Sequence, residues 1–294
     1  MFPPVNAPLA AGSTTPLSSR LSTQVKRIQP STGWRSLDLR QLLAYHELLF
    51  FLMWRDIMIR YRQTAVGVTW VLLQPLLTMT VFSIFFGKLG QMPSNGLPYP
   101  LFVLTGLLPW QLFAFALNHA SNSLVLEQRL ITKIYFPRLI VPLASVMAGL
   151  VDFCVTFLLV LAAILWYGIR PGWPLLVVPF LVLFLLAAAL GVGILLATLN
   201  VQYRDVRFTI PFLTQFWMFL TPVAYPSSMV PSSYRVLYGL NPMTGVIEAF
   251  RWALLGTAPP DWRMMVVSAV VVAGLLTVAL YYFKRMEQTF ADVI

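Results

Sequence analysis

The 294-residue chain has one cysteine, Cys154, and two histidines, His46 and His119. A single cysteine cannot form an intrachain disulfide, and the Cys/His patterns that hold zinc are absent. Acidic residues are also scarce, because Asp and Glu together number ten. A membrane-bound glycosyltransferase would need an Asp-rich metal or phosphate site, so this class of enzyme is disfavoured. We expect neither a metal site nor a catalytic residue in this chain.

A loop for binding the phosphates of ATP is missing as well. Its pattern is GxxxxGK[ST], in which backbone amides cradle the phosphates. The sequence has one Gly-Lys pair, Gly87-Lys88, with Phe82 in place of the first glycine and Leu89 in place of Ser or Thr. No soluble region is long enough for an ATPase domain. We therefore expect no ATP hydrolysis and no bound cofactor on this chain.

Apolar residues, by contrast, dominate the composition. Hydrophobic residues make up 59% of the chain and charged residues 10%, whereas a soluble domain has about 25% charged residues. The chain is therefore predicted to be a multi-pass membrane protein. Its net charge of +10 is expected to mark membrane topology. Nucleic acid is not an expected partner, because no soluble segment is long enough for such a domain.

Six uncharged or nearly uncharged blocks are each long enough for a helix that crosses a bilayer. They lack the alternation of a membrane β-barrel, so the predicted fold is an all-α integral membrane protein. The predicted spans are 66–86, 99–122, 140–167, 175–199, 208–225 and 264–283. With both termini in the cytoplasm, the cytoplasmic segments hold 15 Lys and Arg, and the outer segments hold 5. This asymmetry predicts that orientation.

The same patterns divide the chain into four segments. Residues 1–36 are rich in Pro, Ser and Thr and are predicted to be a disordered cytoplasmic tail. Residues 37–62 are predicted to form an amphipathic helix in the membrane interface. Residues 63–284 are the predicted six-helix transmembrane domain, and residues 285–294 a cytoplasmic C-terminal tail. The predicted apolar stripe of the interface helix is Leu39, Leu43, His46, Phe50, Met53, Ile57 and Tyr61.

Pro242–Leu255 is predicted to be a short external helix between spans five and six. Asn241 is a plausible N-cap, and proline suits the first helical position. The predicted apolar face is Val246, Ile247, Phe250, Ala253 and Leu254. Because Glu248 and Arg251 interrupt the apolar sequence, we expect the helix to dip into or lie on the outer leaflet. A seventh span is the alternative.

Two features inside the spans carry further expectations. Asp152 is an isolated carboxylate within span three, where an unpaired charge is costly. A structural ion pair is favoured over a proton relay, which would need several titratable groups in a line. In span four, small residues recur every fourth position and are expected to let another helix of the same protomer approach closely, with a dimer contact as the alternative. They are Ala187 with Gly191, and Ala189 with Gly193 and Ala197.

A series of short motifs resembles one family of transport proteins. The motifs are Trp54-Arg55-Asp56, Arg60-Tyr61-Arg62-Gln63-Thr64, Gly67, Trp70, Gln74-Pro75, Phe86-Gly87, Lys133–Arg138, Tyr203-Arg204-Asp205-Val206, Thr221–Tyr225, Asn241-Pro242 and Phe290-Ala291-Asp292. In this order they resemble the permeases of ABC-2 type transporters over residues 45–294. Within that family they most resemble polysaccharide exporters such as O-antigen permeases.

The resemblance implies a set of partners and a location. A separate nucleotide-binding ATPase subunit would bind ATP and magnesium, and two permease chains would pair with two ATPase chains. The cargo would be a lipid-linked polysaccharide, moved across the bacterial cytoplasmic (inner) membrane and in contact with membrane lipid. An exporter of teichoic acid or of a small drug-like molecule is an alternative in the same class. A secondary transporter is an alternative from another class, although it would need inverted repeats and midplane ion ligands.

Two groups of candidate residues follow for the ATPase contact. The first lies at the end of the interface helix, where charges meet the first span: Arg55, Asp56, Arg60 and Arg62. The second lies in the loop 122–138, whose mixture of apolar and charged residues suits a short docking helix. Its candidates are Glu127, Arg129, Lys133 and Arg138. The alternative is an ordinary basic loop that only fixes topology.

A conduit for sugars should combine aromatic faces with scattered polar groups. The candidates in span one are Trp70, Gln74, Thr78 and Phe85, and those in span two are Trp110 and Phe115. In span five they are Gln215, Phe216, Phe219 and Tyr225. The alternative for each aromatic is contact with lipid or the membrane interface. Gln74 and Gln215 are expected on interior faces, because lipid would leave their amides without hydrogen bonds.

Overall fold

A computed structural model of the protein describes residues 39–62, 68–203, 205–287 and 289–290. The predicted tail 1–36, residues 37–38 of the predicted interface helix, and the motif residues 63–67, 204, 291 and 292 lie outside them. The regular secondary structure of the described residues is helical, which confirms the all-α prediction. The α-helices are α1 (Leu39–Ala44), α2 (His46–Arg62), α3 (Val68–Phe82), α4 (Tyr99–Leu126), α5 (Gln128–Lys133), α6 (Ile140–Trp166), α7 (Val178–Gln202), α8 (Val206–Leu220), α9 (Arg235–Tyr238), α10 (Pro242–Leu255) and α11 (Trp262–Met286). A π-helical segment, Ser83–Leu89, continues α3.

Five helical segments in the described residues are long and apolar enough to cross a membrane. They are Thr69–Leu89, Tyr99–Leu126, Ile140–Trp166, Trp173–Gln202 and Trp262–Met286. These five correspond to predicted spans one to four and six. The predicted fifth span contains α8, which has 15 residues and ends at Leu220. At 1.5 Å per residue α8 is about 22 Å long, shorter than a bilayer core of about 30 Å.

Helix α4 forms the centre of the packing. In its most apolar stretch 78% of the residues are buried, and they pack against α6, α7 and α10. The small residues of α7 make this packing close, because a Cβ on Gly193 would lie 2.7 Å from the Ala120 Cβ of α4. A Cβ on Gly191 would lie 3.2 Å from the Leu276 backbone nitrogen of α11. The predicted close approach within one protomer is confirmed.

The predicted helix Pro242–Leu255 is confirmed at both ends. The Asn241 side chain accepts a 3.1 Å hydrogen bond from the Met243 amide, and Gly256 ends the helix in the left-handed conformation at φ 66°. Every residue of the predicted apolar face is buried, and so is Arg251. Helix α10 therefore packs against α4, α7 and α11 rather than presenting one face to a leaflet.

Helices α1 and α2 lie beside the bundle, with α2 against α6. Leu52 and Ile57 are the buried residues of α2, whereas Leu43 and Phe50 are 70% and 59% exposed. The predicted apolar stripe was therefore wrong for Leu43 and Phe50, whereas its members Met53 and Ile57 do pack against the bundle. Apolar residues occur on several faces of this segment, so spacing alone did not identify the face that α6 covers.

Contacts between chain-distant segments define one end of the bundle. Glu127 follows α4 and binds Arg55 of α2, Asn200 of α7 donates to the Ser121 carbonyl at 3.0 Å, and Arg138 donates to the Glu287 carbonyl after α11. We call this the basic end, because α5 and the last turns of α2 and α11 place their Lys and Arg here. The other end is the distal end.

Candidate functional site

A cavity of about 350 Å³ lies between α3, α4 and α6, and the last turn of α2 borders it. This volume falls within the range of about 300–1,000 Å³ that is usual for ligand pockets. Five of the predicted pathway residues line it: Trp70, Gln74, Thr78, Trp110 and Phe115. Its other polar and aromatic lining residues are Arg60, Gln111, Asn118, His119, Asp152, Phe153 and Thr156.

Aromatic rings enclose the cavity from two helices. Trp110 of α4 is 4% exposed, and its ring lies 5.6 Å from that of Phe113. Phe115 stacks on His119 at 3.8 Å, and the guanidinium of Arg60 lies over Phe115 at 4.5 Å. These rings are fixed by neighbours, whereas Trp70 of α3 is 55% exposed at the edge of the cavity. A planar ring at such a position can stack on the C–H face of a sugar.

Amide side chains supply the polar surface. The Asn118 Nδ2 donates to the Ala114 carbonyl at 2.7 Å and to the Thr214 Oγ1 at 3.4 Å. Within the described residues, the amides of Gln74 and Gln111 have no hydrogen-bond partner. Each carries a carbonyl acceptor and two N–H donors, which suits hydroxyl groups that both donate and accept.

An ion pair closes the side of the cavity next to α2. The Arg60 Nη2 lies 2.6 Å from the Asp152 Oδ2, and Tyr61 donates a hydrogen bond to the Asp152 Oδ1. The predicted structural pairing of Asp152 is confirmed. Its partner was not identified from the sequence, although a lone acid in a span requires a nearby cation and the last turn of α2 supplies two arginines.

Two other lining residues, Asn118 and His119, were also missed. They follow Gln111 and Phe115 along α4 at helical spacings of three, four, seven and eight. That periodicity could have added them to the candidate face.

The remaining pathway candidates do not join the cavity. Phe85 is 60% exposed within the π-helical segment. On α8, Gln215 is exposed, and Phe216 and Phe219 are 53% and 54% exposed. The expectation that Gln215 faces the interior is thus wrong for the protomer. Tyr225 lies at the distal end, where its hydroxyl is 2.8 Å from that of Tyr238.

The ATPase-contact candidates fall into two structural groups. Arg55 forms a two-pronged bond to Glu127, with Nη2–Oε1 at 2.5 Å and Nη1–Oε2 at 3.0 Å, and its Nη2 lies 2.8 Å from the Asp56 Oδ1. Burial alone would lower the pKa of Arg55, but the bonds to Glu127 and Asp56 outweigh it and raise that pKa above its ordinary value. This cluster ties α2 to the junction of α4 and α5.

The other candidates are exposed or tied elsewhere. Arg129 and Lys133 project from α5, whose Ile131 is buried beneath them, and Arg62 is exposed at the end of α2. Arg138 instead donates to the Glu287 carbonyl, and its guanidinium lies 5.9 Å from the Phe290 ring. Its contacts hold the C-terminal segment, so Arg138 is not part of the exposed basic surface.

Residues 47–255 match the ABC-2 type transporter family. The chain belongs to this family. The match covers α2 to α10, including the cavity and α5. An ABC-2 permease is a multi-pass membrane subunit that works with an ATPase.

Curated relatives of this ABC-2 permease have export or transport functions in their names. It is similar to an O-antigen export system permease protein of Myxococcus xanthus, with 31% identity over 87% of this chain and 98% of the relative. An O-antigen export system permease protein of Klebsiella pneumoniae is 28% identical over 88% of this chain and 100% of the relative. A polysialic acid transport protein of Escherichia coli is 24% identical over 68% of this chain and 78% of the relative.

Proposed function

We propose that this chain is the transmembrane permease subunit of an ATP-driven exporter that moves a lipid-linked polysaccharide, such as an O-antigen, across the bacterial inner membrane. The observation that carries the proposal is the near full-length similarity to two O-antigen export permeases. The cavity adds chemical support, because it pairs aromatic rings with amide groups. These are the groups that sugar rings and hydroxyls require.

The proposed assembly contains two copies of this chain and two ATPase subunits. In this proposal ATP and magnesium bind to the ATPase, and none of the nucleotide, metal or cofactor binding is assigned to the permease. Exposed aromatic residues of α3, of the π-helical segment and of α8 form the proposed surfaces toward the second copy and the shared conduit. They are Trp70, Phe85, Phe216 and Phe219. A homodimer is supported by their exposure in the single protomer.

The proposed topology has six spans and both termini in the cytoplasm. The fifth span starts with α8 and continues through Thr221–Tyr225. In this orientation the basic end faces the cytoplasm and α10 belongs to the outer side. The 15 to 5 distribution of Lys and Arg supports it. Residues 1–36 are the proposed cytoplasmic tail.

The basic end offers a route from the ATPase to the cavity. Arg129 and Lys133 on α5 form the proposed docking surface. The Arg55–Glu127 bond connects α5 to α2, and the Arg60–Asp152 pair connects the last turn of α2 to the cavity. Movement of α5 is thereby proposed to change the position of α2 and the opening of the cavity.

ATP-dependent export by the permease–ATPase complex in liposomes tests the cargo site. The change Trp70→Ala should lower the export rate about tenfold, which corresponds to about 1.4 kcal/mol, because a stacking face is lost. The change Trp166→Ala removes a tryptophan that is 89% exposed outside the cavity and should leave the rate unchanged. Export driven by an ion gradient without the ATPase would contradict the proposal.

Charge reversal on α5 tests the docking surface. The double change Arg129→Glu and Lys133→Glu should abolish stimulation of the ATPase while the permease stays inserted in the membrane. Lys88→Glu, which reverses an exposed charge at the distal end, is the matched control. ATPase activity is followed on the purified complex. Full stimulation in the α5 variant would show that α5 serves only topology.

A further inference from the structure

We infer that the cavity selects uncharged sugar residues and disfavours acidic ones, because the one arginine among its described lining residues is already neutralised by the one carboxylate among them. This inference rests on the proposed function and adds the charge class of the cargo. The pair is direct, with 2.6 Å between the Arg60 Nη2 and the Asp152 Oδ2.

The charge of the lining follows from its residues. Among the described residues that line the cavity, two carry a formal charge, Arg60 and Asp152. Their charges are opposite and cancel. His119 adds no formal charge when histidine is counted as neutral at pH 7. The rest of the polar lining consists of amides and hydroxyls, such as Gln74, Gln111 and Thr78. The cavity therefore offers hydrogen bonds without a net positive charge.

Arg55, which lies upstream of Arg60 on α2, is also held by carboxylates. Arg55 is held between Glu127 and Asp56, at 2.5 Å and 2.8 Å. This cluster has two carboxylates and one guanidinium, so its formal charge is negative. A carboxylate on a sugar would meet Asp152 in the cavity and would find no unpaired guanidinium in this cluster.

The cost of removing a charged group from water explains why this arrangement would select neutral sugars. Moving a carboxylate out of water is costly unless a cation pairs with it. An acidic sugar could pair with Arg60 only by displacing Asp152, which would then lose its own partner. A neutral sugar makes hydrogen bonds to the amides and stacks on the rings without disturbing the ion pair.

Equilibrium binding of two labelled probes tests the inference on the permease–ATPase complex in lipid nanodiscs. The neutral probe is a mannose hexasaccharide, and the acidic probe is hexagalacturonate. In the natural protein the neutral probe should bind more tightly. Asp152→Asn removes the carboxylate and leaves Arg60 unpaired, so it should raise the relative affinity for the acidic probe by about tenfold.

A second variant, in which the net charge of the pair is again zero, distinguishes a change in selectivity from damage to the fold. The double change Asp152→Asn and Arg60→Gln removes both charges and should return the preference to the neutral probe. If Asp152→Asn only loosened the structure, the double variant would not restore the preference. Size-exclusion chromatography and thermal unfolding of each variant show that the complex is assembled.

The outcomes distinguish the two proposals. Equal binding of both probes to the natural protein, or an unchanged ratio in Asp152→Asn, overturns the charge inference alone. Binding of neither probe, or neutral binding that Trp70→Ala does not weaken, overturns the cavity as a cargo site. Tighter binding of the neutral probe with the expected shift in Asp152→Asn supports both.

Discussion

Helices α3 and α4 are equally apolar, yet the protomer buries them to very different extents. In the most apolar stretch of α4 78% of the residues are buried, compared with 11% in the span that begins with α3. Helix α4 contacts α6, α7 and α10. By contrast, Trp70 and Leu77 of α3 are exposed, and so is Phe85 of the π-helical segment that continues it. Apolar composition therefore identifies a span but not its neighbours.

The difference comes from what each helix meets. Small residues on α7 let the α4 backbone approach closely, as at Gly193 and Ala120. One edge of α3 borders the cavity, and the rest of its surface is available to lipid or a second protomer. The central helix provides stability, and the peripheral helix provides the proposed functional surface.

The largest predicted effect comes from removing one phenylalanine ring in the buried region and one in the exposed region. Phe113 of α4 is fully buried, and Phe113→Ala should lower the free energy of unfolding by about 3–5 kcal/mol. The matched position is Phe85, which is 60% exposed in the π-helical segment after α3. Phe85→Ala should change the free energy of unfolding by no more than about 0.5 kcal/mol. Denaturant unfolding in detergent micelles measures both. Similar losses would mean that Phe85 is buried in the assembly.

A smaller effect is expected where α7 meets α4. Gly193→Ala places a methyl group 2.7 Å from the Ala120 Cβ, so the two backbones must separate. The free energy of unfolding should fall by about 1–3 kcal/mol. Gly274→Ala, on α11, meets nothing within 4 Å and should be neutral or stabilising by about 1 kcal/mol, because alanine favours helix over glycine. A stable Gly193→Ala variant would argue against the close packing of α4.

The smallest effect concerns the bond that joins α2 to the end of α4. Arg55→Ala and Glu127→Ala should be non-additive, with a coupling of about 1 kcal/mol in a double-mutant cycle, because the pair is partly exposed. Arg62→Ala combined with Glu127→Ala serves as the control, since Arg62 is exposed. Thermal unfolding provides the values. Additive changes for Arg55 and Glu127 would remove this bond from the proposed route to the cavity.

Local signals in the sequence predicted the local structure well. The start of α10 was predicted from Asn241 and Pro242, because capping chemistry depends on adjacent residues. Long apolar runs predicted the helices that became five candidate spans. The 15 residues of α8 were not foreseen, since Thr221–Tyr225 is apolar and continues the run without continuing the helix.

The site was harder to predict, because it depends on residues far apart in the chain. Trp70 and Trp110 share one cavity, whereas Phe216 and Tyr225 lie outside it. All four are aromatic residues in apolar predicted spans, so the sequence does not distinguish them. The Arg60–Asp152 pair joins residues 92 positions apart, and the register of α2 on α6 decides it. Neither spacing nor composition contains that register.

The contact between Arg138 and the end of the chain has a consequence for biosynthesis. Phe290 is fully buried against Phe283 of α11, and Arg138 binds the Glu287 carbonyl beside it. Arg138 is synthesised about 150 residues before Glu287 and Phe290. These contacts at the basic end therefore stay incomplete until Glu287 and Phe290 are synthesised, so a subunit truncated before these residues would lack them.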